Sequence, residues 1–210
     1  MIRRIRRCGV ENKTGLLIVV SGPSGAGKGT ICRVLLQQMP DLKYSVSMTT
    51  RDPRLEEEEG VHYYFYSRQS FKELVEREEL LEWAEFCDNY YGTPRFAVEQ
   101  ALAEGRDILL EIETQGALQV KNKFPKGVFI FIIPPSLEVL AERIRNRGTE
   151  SEEDFGKRIA IAAQELDYIN LYDYVVVNDD VSVAVEKLKS ILIAEKCRTS
   201  RNPVIFKEEF

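Results

Sequence analysis

A short apolar strand that runs directly into a glycine-rich turn and then a helix is the segment that most restricts what this 210-residue chain can fold into. Leu16 to Val20 is a continuous apolar run ending in Ser21 and Gly22, the pattern of a parallel strand buried on both faces. From Lys28 to Met39 the apolar positions Ile31, Val34, Leu35 and Met39 recur at helical spacing, and Pro40 closes the segment. Between them lies Gly22-Pro23-Ser24-Gly25-Ala26-Gly27-Lys28-Gly29-Thr30. A glycine-rich loop in that position curls so that successive backbone N–H groups point inward at phosphate oxygens, and the helix N-terminus adds a favourable dipole. Lys28 supplies a mobile positive charge for the outer phosphates of a nucleoside triphosphate. The usual pattern has Ser or Thr directly after the lysine. Here Gly29 stands there and Thr30 follows, which leaves direct magnesium ligation by the loop open.

The alternation of strand and helix continues downstream. The pattern predicts a helix near Phe96 to Ala103, a strand at Ile108 to Ile112, a helix from Gln115 and a strand at Val128 to Ile133 ended by Pro134 and Pro135. Helices over Leu137 to Arg145 and Glu152 to Tyr168, a strand at Tyr174 to Val177 and a helix over Val181 to Ala194 complete it. Such alternation implies a parallel β-sheet flanked by helices, with ligands beyond the carboxyl ends of its strands. Residues 44–93 break the rhythm: they are rich in Tyr, Thr, Glu and Arg, with alternating runs such as YSVSMTT and VHYYFYS. They read as a small, mixed α/β insertion, with a short helix over Ser70 to Arg77 and Ser70 as its N-cap. The expected division is a basic N-terminal tail over 1–14, one domain over 15–195 (core 15–43 and 94–195, insertion 44–93) and a C-terminal tail over 196–210.

Charge and cysteine usage exclude some partners. With 29 basic against 34 acidic side chains the net charge is −5, so the surface as a whole attracts neither nucleic acid nor an anionic membrane. No apolar run is long enough to span a bilayer. Arg3, Arg4, Arg6 and Arg7 are followed by CGVENKTG rather than by the apolar stretch of a signal peptide. Cys8, Cys32, Cys87 and Cys197 are scattered, with no C-x-x-C pair, and read as reduced thiols of a cytoplasmic protein.

The GKGT ending of the loop resembles that of nucleoside monophosphate kinases, and SVSMTTRDPR, EWAEFCDNYYGTP and RIRNRGTESEEDFGKRI narrow the resemblance to the guanylate kinase family. The similarity runs from about Leu16 to Glu195. It implies a P-loop kinase core, a GMP-binding insertion and a short helical lid over about 146–157, with ATP and GMP as substrates and Mg2+ delivered with ATP. The loop Gly22 to Thr30, with Arg143 and Arg147 from the lid region, matches the family's ATP-binding residues. Arg51, Arg54, Tyr63 and Tyr91 match those that grip the GMP phosphate, and Lys28, Arg51, Arg147 and Arg158 those that stabilise the transfer. An arginine fork meets phosphate oxygens two at a time, and phenolic hydroxyls complete the shell without adding charge.

Glu82 is the expected reader of guanine, whose N1–H and exocyclic amino group sit side by side for one carboxylate. By the same resemblance Ser47, Thr93 and Glu113 add contacts to the base. Taken alone, Glu82 beside Trp83 reads as a solvated carboxylate at the edge of a packed aromatic, and the two loop arginines as surface charges. The run Glu56 to Glu59 reads as a solvated loop, because four carboxylates near a phosphate site would repel substrate. His62 is the sole histidine and reads as structural. Two alternatives stay open: a guanylate-kinase-like scaffold that binds partner proteins, and a kinase for another monophosphate.

Overall fold

The computed structural model describes residues 14–86, 88–145 and 152–201. Five parallel strands form the core sheet: β1 (Leu17–Ser21), β2 (Lys43–Tyr44), β7 (Ile108–Glu111), β8 (Val128–Ile133) and β9 (Tyr174–Val177), in the order β2-β7-β1-β8-β9. In β1 alternate residues serve opposite faces. Ile18 and Val20 join one buried cluster with Ile31 and Leu35 of α1 (Lys28–Gln38) and Leu188 and Leu192 of α7 (Val181–Lys196). Leu17 and Val19 join the other, with Val98 and Ala101 of α3 (Arg95–Ala103) and Ala117 and Val120 of α4 (Thr114–Lys123). Each fully buried aliphatic side chain of this kind contributes about 1.5–3 kcal/mol, so the central strand is pinned from both sides. The loop after β1 therefore springs from the least deformable part of the molecule.

A second sheet of four strands has the order β4-β3-β6-β5, built from β3 (Ser47–Thr49), β4 (Tyr63–Phe65), β5 (Leu80–Phe86) and β6 (Asn89–Pro94). It is mixed: β3 runs parallel to β4 and antiparallel to β6, and β5 is antiparallel to β6. Its helix α2 (Arg68–Glu76) starts one turn ahead of the sequence expectation. Ser67, not Ser70, is the N-cap: the Ser67 Oγ accepts the Ser70 N–H at 3.1 Å, which makes Ser70 the donor of the capping bond. The two hydroxyls also lie 2.9 Å apart.

Helices α5 (Leu137–Arg145) and α6 (Glu152–Leu166) share a small apolar cluster of Leu140, Ile144 and Ala162, with Phe155 and Ile159 packed against it. A β-carbon on Gly25 would lie 2.9 Å from both Ile144 and Leu140, so α5 packs closely on the glycine-rich loop. Most of the basic tail, most of the C-terminal tail, Cys8, Cys87 and the expected lid residues 146–151, with Arg147 and Gly148, lie outside the described residues. No helix among the described residues is long and apolar enough to cross a membrane.

Candidate active site

The loop between β1 and α1 is held from below. Gly22, at φ +140°, packs against the carbonyl of Ile132, where a β-carbon would come within 2.1 Å of the oxygen. On the far side the buried Asn178, just after β9, donates from Nδ2 to the Ala26 carbonyl at 2.7 Å. Its own carbonyl accepts Arg143 of α5 at 3.0 Å. Arg143 is thus tied to the loop through Asn178, and its second terminal nitrogen is buried with no hydrogen-bond partner among the described residues. In the sequence Asn178 merely precedes two aspartates, and nothing there marks it. Its bracing role arises from a contact 152 residues away in the chain.

Lys28 is 9% exposed and folds back along the loop, donating to Gly22 O at 2.5 Å and Pro23 O at 3.4 Å. Its Nζ also lies 3.7 Å from Glu113 Oε2. Gly29, where Ser or Thr is usual, faces the carboxylate of Glu111: a β-carbon there would sit 3.3 Å from Glu111 Oε1. Glu111 is pushed above the usual carboxylate range by burial, with Lys28 opposing and Glu113 adding to the shift. It flanks the loop where a hydroxyl-bearing side chain would otherwise project. Among the described residues no group of three or more His, Cys, Asp or Glu is arranged to hold a metal ion.

Glu165 of α6 also reaches this end of the site, accepting the Thr114 hydroxyl at 3.1 Å. Burial, then the negative charge of Glu113, push it up to about 7. Nothing in the sequence marked Glu165, because one carboxylate on a helix acquires such a setting only through tertiary contact. Arg158 lies on the same helix, but its side chain is outside the described residues.

Across from the loop, the second sheet presents the residues expected to hold the monophosphate. Glu82 on β5 is 4% exposed and accepts the Thr93 hydroxyl of β6 at 2.7 Å. Burial raises it from 4.5 to about 7, with Glu113 adding to the shift while Thr93 and Lys123 oppose it. Its second oxygen lies over Gly116 of α4, where a β-carbon would approach to 2.1 Å. The expected base reader is therefore a buried carboxylate rather than a solvated one, and the absence of a side chain at position 116 makes room for it. Ser47 is half-buried on β3, paired in register with Tyr63.

Arg51, Tyr63 and Tyr91 come together. The Arg51 guanidinium lies 5.5 Å from the Tyr63 ring centre, and the two tyrosine rings meet edge to face at 6.2 Å. Burial, then Glu111, push the Tyr63 hydroxyl up to about 12. Arg54 stands exposed. The acidic run departs from expectation: Glu57 turns inward and binds Arg51 Nη2 through both oxygens, at 2.8 and 2.9 Å, and Glu59 accepts the Phe65 N–H at 2.9 Å. Loop closure decides this, since backbone N–H groups at Arg54 and Phe65 need acceptors that the neighbouring acids provide. His62 accepts the Glu58 N–H through Nδ1 at 3.1 Å, a structural bond within the loop.

The chain is similar over most of its length to known proteins of one family. The family model described as guanylate kinase matches residues 14–195. The guanylate kinase of Desulfitobacterium hafniense strain Y51 is 64% identical over 197 residues, covering 94% of this chain and 98% of that protein. That of Caldanaerobacter subterraneus subsp. tengcongensis is 57% identical over 194 residues, covering 92% and 94%. Among solved structures, the crystal structure of guanylate kinase from Anaplasma phagocytophilum superposes with a TM-score of 0.76 at 35% identity, covering 90% of each chain.

Proposed function

The chain belongs to the guanylate kinase family, and on that premise we propose how its own residues carry the transfer of the γ-phosphoryl group of ATP to GMP. The enzyme is a phosphotransferase of nucleotide metabolism, ATP + GMP = ADP + GDP. The observation that carries the residue-level reading is the position of Glu113. It lies 3.7 Å from the loop lysine and opens α4, whose Gly116 lies against the Glu82 carboxylate, which supports reading the triphosphate end and the base end as one cleft.

Guanine's N1–H and exocyclic amino group donate to the Glu82 carboxylate, with Thr93, Ser47 and Glu113 beside it. Adenine has no such pair of donors and would leave a buried charge unpaired. Arg51, Tyr63 and Tyr91 meet the GMP phosphate, and Arg54 folds in from its exposed position. The backbone from Gly22 to Thr30 cradles the ATP phosphates, and Lys28 moves from the Gly22 carbonyl to the β- and γ-oxygens, exchanging a neutral partner for a charged one. Arg143, with Arg147 and Arg158 by the family resemblance, would add cationic charge to the transferring group. Phosphoryl transfer passes through a loose transition state with charge spread over equatorial oxygens, so positioning and cationic stabilisation suffice without a strong general base.

Mg2+ delivered with ATP would supply further charge neutralisation, and Glu111 and Glu113 are the carboxylates beside the loop that would meet its water shell. The free thiols Cys32 and Cys197 accord with a cytoplasmic setting. The test is a panel of GMP, AMP, UMP and CMP offered to the purified protein with ATP and Mg2+. GDP formation should exceed turnover of the other monophosphates by at least roughly 100-fold in kcat/KM. Equal turnover of AMP would overturn the assignment of Glu82, and no GDP at all would favour a scaffold.

A further inference from the structure

Within the run Glu56 to Glu59 the four side chains are chemically alike, yet the fold treats one of them differently. Glu57 is only 14% exposed at its side chain, whereas residues 56, 58 and 59 are exposed. Its backbone N–H donates to the Arg54 carbonyl at 3.0 Å, and its Oε2 accepts the Arg54 N–H at 2.9 Å. The carboxylate is therefore fixed by a closed turn, independently of any contact to Arg51. Burial works against its charge, but the Arg54 N–H and the Arg51 guanidinium outweigh it and hold Glu57 below the usual carboxylate range.

We propose that Glu57 is a positioning residue for GMP: from its backbone-anchored site it holds the Arg51 guanidinium in the attitude that meets the substrate's phosphate. This rests on the reading that Arg51 grips that phosphate. Of the guanidinium's five N–H groups, those of Nη2 engage the two Glu57 oxygens and one of Nη1 donates to the Asp52 carbonyl at 2.7 Å. Tyr91 is a further hydrogen-bond partner of the guanidinium, so the Nε–H and the second Nη1 hydrogen face the tyrosine pair where the substrate's phosphate would enter, on a guanidinium already stacked near Tyr63. A long flexible side chain held before the ligand arrives has less freedom to lose on binding. The opposite arrangement, in which Glu57 mimics phosphate and must be displaced, would require a carboxylate free to leave. This one is tied to the Arg54 backbone.

The experiment uses the full-length protein and the variants Glu57→Gln, Glu57→Asp and Arg51→Ala, with binding of GMP and of guanosine measured by calorimetric titration alongside steady-state kinetics. For Glu57→Gln the expected result is a roughly tenfold loss of GMP affinity, the scale of one charge-assisted hydrogen bond. Guanosine affinity and KM for ATP should stay put and kcat should change by less than the KM for GMP. Glu57→Asp, which keeps the charge and shortens the reach, should fall between, and it carries the test if Glu57→Gln does not fold. Equal loss for GMP and guanosine would show a merely structural role, and tighter GMP binding would show a competitor; either overturns the proposal. If Arg51→Ala leaves the ratio of GMP to guanosine affinity unchanged, the phosphate reading of Arg51 fails and takes the proposal with it. If that ratio falls for Arg51→Ala but not for Glu57→Gln, the positioning role alone is wrong.

Discussion

The two sheets solve different problems with different materials. In the core sheet β1 and β8 are almost wholly apolar and buried, and the groups proposed to hold the ATP phosphates, backbone N–H groups and one lysine, are displaced to the loop beyond the strand end. In the smaller sheet the chemistry sits inside the strands themselves. Glu82 in mid-β5 and Thr93 in β6 are nearly inaccessible, and the arginine–tyrosine cluster is packed among neighbouring strands. A phosphate chain can be held by backbone geometry alone, whereas a base must be told from its analogues by a buried, directional and charged group. The first region should therefore separate activity from stability, and the second should trade one against the other.

The sharpest break of that comparison is at Lys28. Lys28→Met should lower kcat by roughly 100- to 1000-fold, the scale of removing one preorganised cationic donor from a transition state. The midpoint of thermal unfolding should move far less than kcat, because the Pro23 carbonyl keeps the Ala26 N–H, the 3.7 Å pair with the part-exposed Glu113 is long, and a buried charge is replaced by an apolar side chain of similar length. A large fall in that midpoint would mean that the loop, too, trades stability for function.

In the smaller sheet the effects should couple. Glu82→Gln should raise KM for GMP on the order of 100-fold, since the amide accepts one of guanine's donors and opposes the other. At the same time it should stabilise the ligand-free protein at pH 8. Glu82 has a folded pKa of about 7 against an ordinary 4.5, so the stability associated with its neutral form is fully present below 4.5 and is lost as pH rises to about 7. A shift of that size corresponds to about 3 kcal/mol at most. Thermal unfolding of both proteins from pH 4.5 to 8 tests it: the wild type should fall relative to the variant. Kinetics supply an independent check, because KM for GMP in the wild type should drop as Glu82 ionises above pH 7. The variant should show only the titration of the phosphate. Parallel pH curves for the two proteins would remove Glu82 from base recognition.

The same contrast governs what the residues alone revealed. The core strands and their covering helices were legible because burial on both faces writes continuous apolar runs and helical spacing into the chain, and the loop was legible from its glycines and Lys28. Within the insertion, Arg51, Tyr63, Tyr91, Glu82 and Thr93 were singled out only through resemblance, since nothing about one carboxylate beside Trp83 announces that Gly116 will clear a space for it. Glu57 was hidden by three identical neighbours. Asn178 and Glu165 were hidden because each acquires its partners, the Ala26 carbonyl and the Thr114 hydroxyl, from distant parts of the chain.

The smallest expected effect concerns a boundary that sequence reading misplaced. Ser67 and Ser70 both precede an apolar helical pattern, and propensity alone does not choose between them. The fold chooses Ser67, whose hydroxyl accepts the Ser70 N–H while its backbone stays extended at φ −66° and ψ 155°. Ser67→Ala should then cost about 1 kcal/mol of stability, whereas Ser70→Ala, which leaves the backbone donor in place and removes only an exposed hydroxyl, should stay within about 0.5 kcal/mol. Denaturant unfolding of the two variants reads the difference, and hydrogen exchange should place the loss in the first turn of α2. Equal costs would mean that the bond between the two hydroxyls, rather than the cap, fixes the start of the helix. Because Phe71 of that helix is buried and stacks on Tyr90 of β6, even this small term bears on how firmly the smaller sheet holds its shape.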